Sequence, residues 1–126
     1  MDAEKFTKKS LDVIENCSRI AYEYNNQEID QEHLLLSMVT TEDCLIAKLI
    51  EKLGVDLAGF TSECERAVAY RPKVTGTSDV YMSREFTMTL MDAENESKQM
   101  GDSYISVEHI FLAMIKKANN SVRTIF

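Results

Sequence analysis

The chain has no tryptophan, a single proline (Pro72), four glycines, three cysteines and two histidines in 126 residues. Each shortage removes a class of function. The glycines, Gly54, Gly59, Gly76 and Gly101, never fall into G-x-x-x-x-G-K-[ST] or G-x-G-x-x-G, so neither common phosphate cradle is present. Cys17, Cys44 and Cys64 are odd in number, far apart and without a C-x-x-C, which reads as free thiols rather than a disulfide framework. His33 and His109 each follow a glutamate, but Glu-His is not H-E-x-x-H, which sets two zinc-binding histidines one helical turn apart. No run of about 18 apolar residues occurs, so no membrane-spanning helix is expected. The opening Met1-Asp2-Ala3-Glu4-Lys5 lacks the basic-then-apolar layout of a signal peptide. Basic residues are outnumbered 14 to 21, and the net charge of −7 excludes a nucleic-acid partner held through its phosphates.

What remains is a chain with 44% apolar and 28% charged residues, an ordinary composition for one globular domain over 1–126. Its dominant feature is an internal repeat. Ile29-Asp30-Gln31-Glu32-His33-Leu34-Leu35-Leu36-Ser37-Met38-Val39 returns as Ile105-Ser106-Val107-Glu108-His109-Ile110-Phe111-Leu112-Ala113-Met114-Ile115. The same offset runs without a gap from Phe6/Met82 to Val39/Ile115. A fixed-offset repeat is one supersecondary unit used twice. Repeat one covers 6–69, a linker 70–82 holds the only proline, and repeat two covers 83–126.

Apolar spacing within each repeat is helical throughout. Thr7 is placed to cap a first helix whose stripe is Ser10, Val13, Ile14, Cys17, Ile20, Ala21 and Tyr24. Asn25 ends it, at the position of Gly101 in the second repeat. Asp30 caps a second helix, with Leu34, Leu35, Met38 and Val39 facing inward. A third, from about Asp43 to Leu53, is expected to bury Leu45, Ile46, Leu49, Ile50 and Leu53. Gly54 stops it, and Asp56 caps a fourth carrying Leu57, Phe60, Cys64, Ala67 and Val68. In the second repeat Ser83 caps helix five (Phe86, Leu90, Ala93, Ser97, Met100) and Ser106 caps helix six. Asn119 leads a seventh, with Val122, Ile125 and Phe126 as its apolar positions. Val80-Tyr81-Met82 is too short to count as a strand. The expected fold is all-α, a pseudo-twofold tandem repeat of seven to eight helices. The counterpart of helix four is expected to be missing from the second repeat, since Ile125-Phe126 matches Leu49-Ile50.

Several of these segments resemble the amino-terminal domain of the Clp ATPases. They are Phe6-Thr7, Ile29-Asp30-x-Glu32-His33-Leu34-Leu35-Leu36, Leu49-Ile50-Glu51-Lys52-Leu53-Gly54-Val55-Asp56, Arg71-Pro72-Lys73-Val74-x-Gly76 and Gly101-Asp102-x-Tyr104-Ile105-Ser106-Val107-Glu108-His109. The linker and the Val-Tyr-Met-Ser entry to helix five point to the ClpB-type unfoldase and disaggregase branch. A narrower likeness, to the ClpB-like unfoldase of the malaria parasite's protein-export translocon, has no motif of its own. The resemblance implies a recognition domain on a homo-hexameric, ATP-driven unfoldase that catches unfolded or aggregated polypeptide and passes it to the pore. The alternative is a platform for an adaptor or partner protein of such a machine, an export translocon included. ATP and Mg would be held by downstream modules, with no cofactor, metal or catalytic residue in 1–126. The compartment would be cytoplasmic or organellar, or secreted or vacuolar if the export likeness holds.

For binding residues the resemblance implies Thr7, Asp102 and Glu108, which match positions tied to substrate handling in ClpB-type domains. Each also has a plain structural reading: Thr7 caps a helix, Asp102 closes a turn, and Glu108 suits the positive end of a helix dipole. Bacterial relatives offer an apolar outer side of helix five, where this chain places Asp92 and Glu96. An acidic edge there would favour basic or mixed segments over purely apolar ones. Tyr104 and Met91 remain as apolar contacts, while Phe111, matching Leu35, is expected in the core. The two histidines are expected to share one structural role, packing a helix start and bonding across to the preceding helix.

Overall fold

The computed structural model describes residues 2–75 and 79–126, so Gly76, Thr77 and Ser78 of the linker motif lie outside the described residues. A 3-10 turn (Ala3–Lys5) precedes α1 (Lys8–Glu23), α2 (Gln31–Thr40), α3 (Leu45–Lys52) and α4 (Leu57–Tyr70); α5 (Arg84–Gln99), α6 (Val107–Lys116) and α7 (Asn120–Ile125) follow. Polar side chains at the ends of the apolar stripes set these limits, because a helix start leaves N–H groups that need an acceptor. Thr7 takes the N–H of Ser10, Asp56 that of Gly59, Ser83 that of Phe86 and Asn119 that of Val122. Thr7 and Ser83 are matched by the repeat. So are the left-handed residues that end α1 and α5, Asn25 (φ 59°) and Gly101 (φ 73°). In both, the next N–H reaches back to the last turn: Asn26 to Ala21 O at 2.8 Å, Asp102 to Ser97 O at 2.9 Å.

The fold is all-α, as the apolar spacing predicts, with one addition. Glu28–Ile29 (β1) pairs in parallel with Tyr81–Met82 (β2), and Phe6 makes an isolated parallel bridge to Ile105. A pattern search for strands misses both, because two residues are too few to show alternation. The pairs are reciprocal. Ile29 meets Met82, the counterpart of Phe6, while Phe6 meets Ile105, the counterpart of Ile29. The same bond recurs in each: Thr7 N–H to Ile105 O at 3.0 Å and Ser83 N–H to Ile29 O at 2.8 Å. Each repeat therefore donates its opening segment to the other.

Helix α2 lies at the centre, against α1, α3, α4, α5 and α7, and Gln31 through Val39 are all buried. A helix covered on every side needs no polar face, and Leu34, Leu35 and Met38 have no exposed surface. Burial of each contributes about 2 kcal/mol. Helix α3 departs from expectation. Ile46 and Ile50 are buried, but Leu45 (48%), Leu49 (38%) and Leu53 (68%) are exposed. Its apolar stripe is wider than the edge by which it meets α2, α4 and α6. Met100, expected inside, is also exposed, because the left-handed turn at Gly101 leaves it beyond the last packed turn of α5.

Both histidines close a helix start. His33 Nδ1 accepts the N–H of Asp30 at 3.0 Å, and its Nε2 lies 2.9 Å from Asn26 Oδ1. His109 repeats this with Ser106 N–H (2.9 Å) and Asp102 Oδ2 (2.8 Å). The ring nitrogen that accepts from the backbone assigns the proton to the other, so each imidazole ties a helix start to the turn after the preceding helix. Burial of His33, with the Arg71 guanidinium second, lowers its pKa to about 4. Arg71 itself sits among three carboxylates: Glu28 Oε1 at 2.6 Å, Glu32 Oε2 at 2.8 Å and Asp30 Oδ2 at 3.3 Å. Asn119 Nδ2 supplies the other Glu32 oxygen at 2.8 Å, and Gln31 accepts the N–H of Asn119 at 2.8 Å.

Two stability predictions follow from these buried groups. The unfolded chain binds a proton at His33 near pH 6.5, whereas the folded chain resists protonation until about pH 4. The unfolded state thus binds more protons in that window, and stability, intact above pH 6.5, falls as pH drops towards 4 by about 3 kcal/mol. Urea denaturation across pH 4–7 measures this, and the slope attributable to this site should be absent in His33→Gln. Arg71→Ala should cost about 3 kcal/mol, because it leaves the buried Glu32 and Asp30 carboxylates without their cation. A loss below about 1 kcal/mol in thermal or urea denaturation would show that the cluster does not hold α2 in place.

Candidate functional site: an apolar groove between α1 and α5

Helix α1 packs on α2, and α5 packs on α6, so the two repeats turn the outer sides of α1 and α5 towards each other across a groove. Its volume is about 670 Å³, and Ala3, Phe6, Leu11, Ile14, Met82, Thr87, Leu90, Met91 and Glu94 line it. Phe6 and Leu90 are buried in its floor, while Met82 and Met91 are each 51% exposed at its sides. The unbranched thioether side chain of methionine adapts to partners of different shape. One end is held by an ion pair, Lys5 Nζ to Glu94 Oε2 at 2.8 Å, with Lys98 at 3.7 Å from the same oxygen. The Lys5 hydrogen bond keeps the Glu94 carboxyl below its usual range and raises the Lys5 ammonium in turn.

The residues singled out from sequence fall in two places. Thr7, Asp102, Tyr104 and Glu108 belong to the junction of the α1 start with the α6 start. Thr7 Oγ1 lies 2.9 Å from Ser10 Oγ, and Ser10 Oγ donates to Ile105 O at 2.9 Å. Asp102 accepts from His109 yet keeps 53% of its side chain exposed. Tyr104 is 57% exposed, and Glu108 is exposed in the first turn of α6. Asp92 and Glu96 lie on another flank of α5, paired with Lys117 (3.3 Å) and Lys116 (2.6 Å) at the end of α6. Neither lines the α1–α5 groove, whose carboxylate is Glu94. Met91 lines that groove, and Phe111 is buried.

A second apolar groove, about 610 Å³, runs between α3 and α6 past Leu45, Leu49, Met100, Phe111, Leu112 and Ile115. In the first repeat α4 packs on α2 and α7, the counterparts of α6 and α3. Leu11, Thr87 and Glu94 of the first groove escaped sequence reasoning, because exposure depends on how α1 and α5 are set apart, which spacing along one helix does not reveal. The signal that was available is the repeat itself: Phe6/Met82, Leu11/Thr87 and Ile14/Leu90 are matched pairs.

Chemistry that would make this an enzyme is weak. Ser106 Oγ, His109 and Asp102 do form a line, with Oγ 2.9 Å from Nδ1. The same Nδ1 already accepts the Ser106 backbone N–H, so its lone pair serves the helix cap rather than a hydroxyl proton. Burial drives the thiol pKa of Cys17 far up and pushes that of Cys64 up to about 12, which keeps both protonated. Among the described residues no His, Cys, Asp and Glu are grouped to hold a metal ion. No helix among the described residues is long and apolar enough to cross a membrane.

Comparison with known proteins shows the family. The profile of the Clp repeat (R) N-terminal domain matches residues 5–126. The chaperone protein ClpB of Clostridium tetani is 36% identical over 129 aligned residues, which cover 99% of this chain and 15% of that protein. The chain thus spans about one-seventh of the length of such relatives. Among solved structures, the Hsp104 N-terminal domain from Candida albicans superposes with a TM-score of 0.85 at 22% identity, covering 97% of this chain and 79% of that one. A complex of the ClpV N-domain with a VipB peptide superposes at 0.78 and 16% identity, covering 98% and 78%. With nearly its whole length matched, the chain belongs to the Clp repeat N-terminal domain family.

Proposed function

We propose that this domain captures extended apolar segments of unfolded or aggregated polypeptide in the α1–α5 groove and passes them to a ClpB-type, hexameric, ATP-driven unfoldase of which it is the amino-terminal part. The observation that carries this reading is the groove itself, an open apolar channel flanked by two half-exposed methionines. An apolar surface without internal cover favours whatever excludes water from it, and a groove of about 670 Å³ admits an extended chain more readily than a folded partner. Selectivity comes from charge. The protein carries −7 overall, and Lys5 and Lys98 are already engaged by Glu94, so segments with basic flanks are favoured over acidic ones. On this reading ATP and Mg belong to the ATPase modules of the full-length unfoldase, outside this domain.

A second reading is supported by the ClpV N-domain complex, in which the same fold holds a peptide of one partner, VipB. By that reading Thr7, Asp102, Tyr104 and Glu108, at the α1–α6 junction, form a docking surface for one adaptor. Competition separates the two: unrelated unfolded peptides displace one another from a capture groove but not from a dedicated docking surface.

Met91→Asp should weaken binding of a fluorescently labelled unfolded protein at least tenfold, with melting temperature unchanged within a few degrees because Met91 is half-exposed. Fluorescence anisotropy at fixed ionic strength measures the affinity. An unchanged affinity would overturn the groove as the capture site, and the same loss in Asp102→Ala alone would favour the docking surface.

A further inference from the structure

The groove lies on the pseudo-twofold axis of the molecule, and this has a consequence for the bound chain. The exchange of Ile29–Met82 for Ile105–Phe6 is reciprocal, so the operation relating the repeats returns each to itself when applied twice. It is a twofold. Three of its matched pairs, Phe6/Met82, Leu11/Thr87 and Ile14/Leu90, line one groove, so the axis passes through that groove. A groove has a floor and a mouth. A twofold that carries it onto itself must run from floor to mouth, since any other direction would turn it inside out. Helices α1 and α5 must then be antiparallel across it. The Lys5–Glu94 ion pair meets this requirement independently, because Lys5 precedes α1 while Glu94 lies in the second half of α5.

A twofold along that direction reverses any line lying in the groove. We infer that the groove accepts an extended apolar segment in either direction, amino-to-carboxyl or carboxyl-to-amino. This rests on the capture function proposed above. Apolar contact has no direction of its own, whereas modes that read chain direction use fixed backbone hydrogen bonds along the peptide. The symmetry holds for the backbone and for Ile14/Leu90, and the other lining side chains depart from it. Ala3 matches Asp79, Leu11 matches Thr87, Met91 matches Glu15 and Glu94 matches Ser18, and Phe6 is buried where its counterpart Met82 is half-exposed. They bias the two orientations without excluding one. Orientation-blind capture would let a disaggregating machine grip an internal segment whichever way the aggregate presents it.

The test uses the 126-residue domain, isotopically labelled for NMR, and a ten-residue peptide with an apolar centre and lysine flanks. One sample carries a nitroxide at the peptide's amino end, a second at its carboxyl end. Either label should broaden the amides at both ends of the groove, Leu11 and Glu94 at one and Met82 and Thr87 at the other. The two orientations should be populated within about tenfold of each other. Thr87→Leu, which makes one matched pair identical, should bring the broadening at the two ends closer to equal. If the amino-terminal label broadens only one end and the carboxyl-terminal label only the other, the inference is overturned while capture stands. If neither peptide binds, the capture reading fails and takes this inference with it.

Discussion

The reciprocal exchange of opening segments is the constraint on which the rest depends. Phe6 bonded beside Ile105, and Met82 beside Ile29, fix where α1 and α5 begin relative to α6 and α2. Two-residue strands have little strength of their own. They are held because each lies immediately before a capped helix: Thr7 and Ser83 end one partner, Asp30 and Ser106 the other. The cost of closing a loop between distant parts of the chain is shared between backbone pairing and helix capping at the same residues. An exchange of this kind also makes the repeats interdependent, because neither has its own first segment in place without the other. The groove is its by-product, since helices anchored at their ends by the partner repeat need not pack along their outer sides.

Helix α2 and helix α6 carry the same motif into different surroundings. In the first repeat the start of α2 is enclosed: Asn26, Asp30, Gln31, Glu32 and His33 are all buried, and Arg71 neutralises the carboxylates. In the second, the counterparts Asp102 and Glu108 are exposed, and Tyr104 takes the place of Glu28. A neutral Asn26 beside His33 suits a site without solvent, because a buried carboxylate there would need a second cation. Asp102, by contrast, keeps half of its side chain in water. The same imidazole is thus scaffold in both repeats, while the surface beside it is polar and reachable in one only.

Much of the fold was legible in the sequence because caps and stripes are local. Thr7, Asp56, Ser83 and Asn119 cap as their residue types suggest, and Asn25 and Gly101 adopt the left-handed turns that the repeat aligns. The strand exchange was not legible, since it pairs residues with no alternating pattern around them. Nor was the exposure of Leu45, Leu49 and Leu53, because an apolar stripe says which face wants cover and not whether a neighbour supplies it. The candidate site was visible only in outline. Met91 could be named as a contact, but Leu11 does not stand out, Ile14 reads as an ordinary member of the α1 stripe, and Asp92 and Glu96 reveal their flank only through Lys117 and Lys116.

An open apolar groove also carries a thermodynamic tension. Filling it by bringing α1 and α5 together would bury Leu11, Ile14 and Met91 further and stabilise the monomer by the ordinary measure of area removed from water. The fold is prevented from doing so by the two strand bridges, which hold the helix starts, and by Lys5–Glu94, which spans one end of the groove. Apolar surface is therefore kept available by geometry rather than by weak packing, and the core beneath can remain dense. The floor residues Phe6 and Leu90 belong to that core, so a segment lying in the groove rests on the rigid part of the domain. Methionine at the sides supplies the adaptability that such a floor lacks. Rigid below and adaptable at the walls, the groove is suited to many apolar sequences of similar width rather than to one.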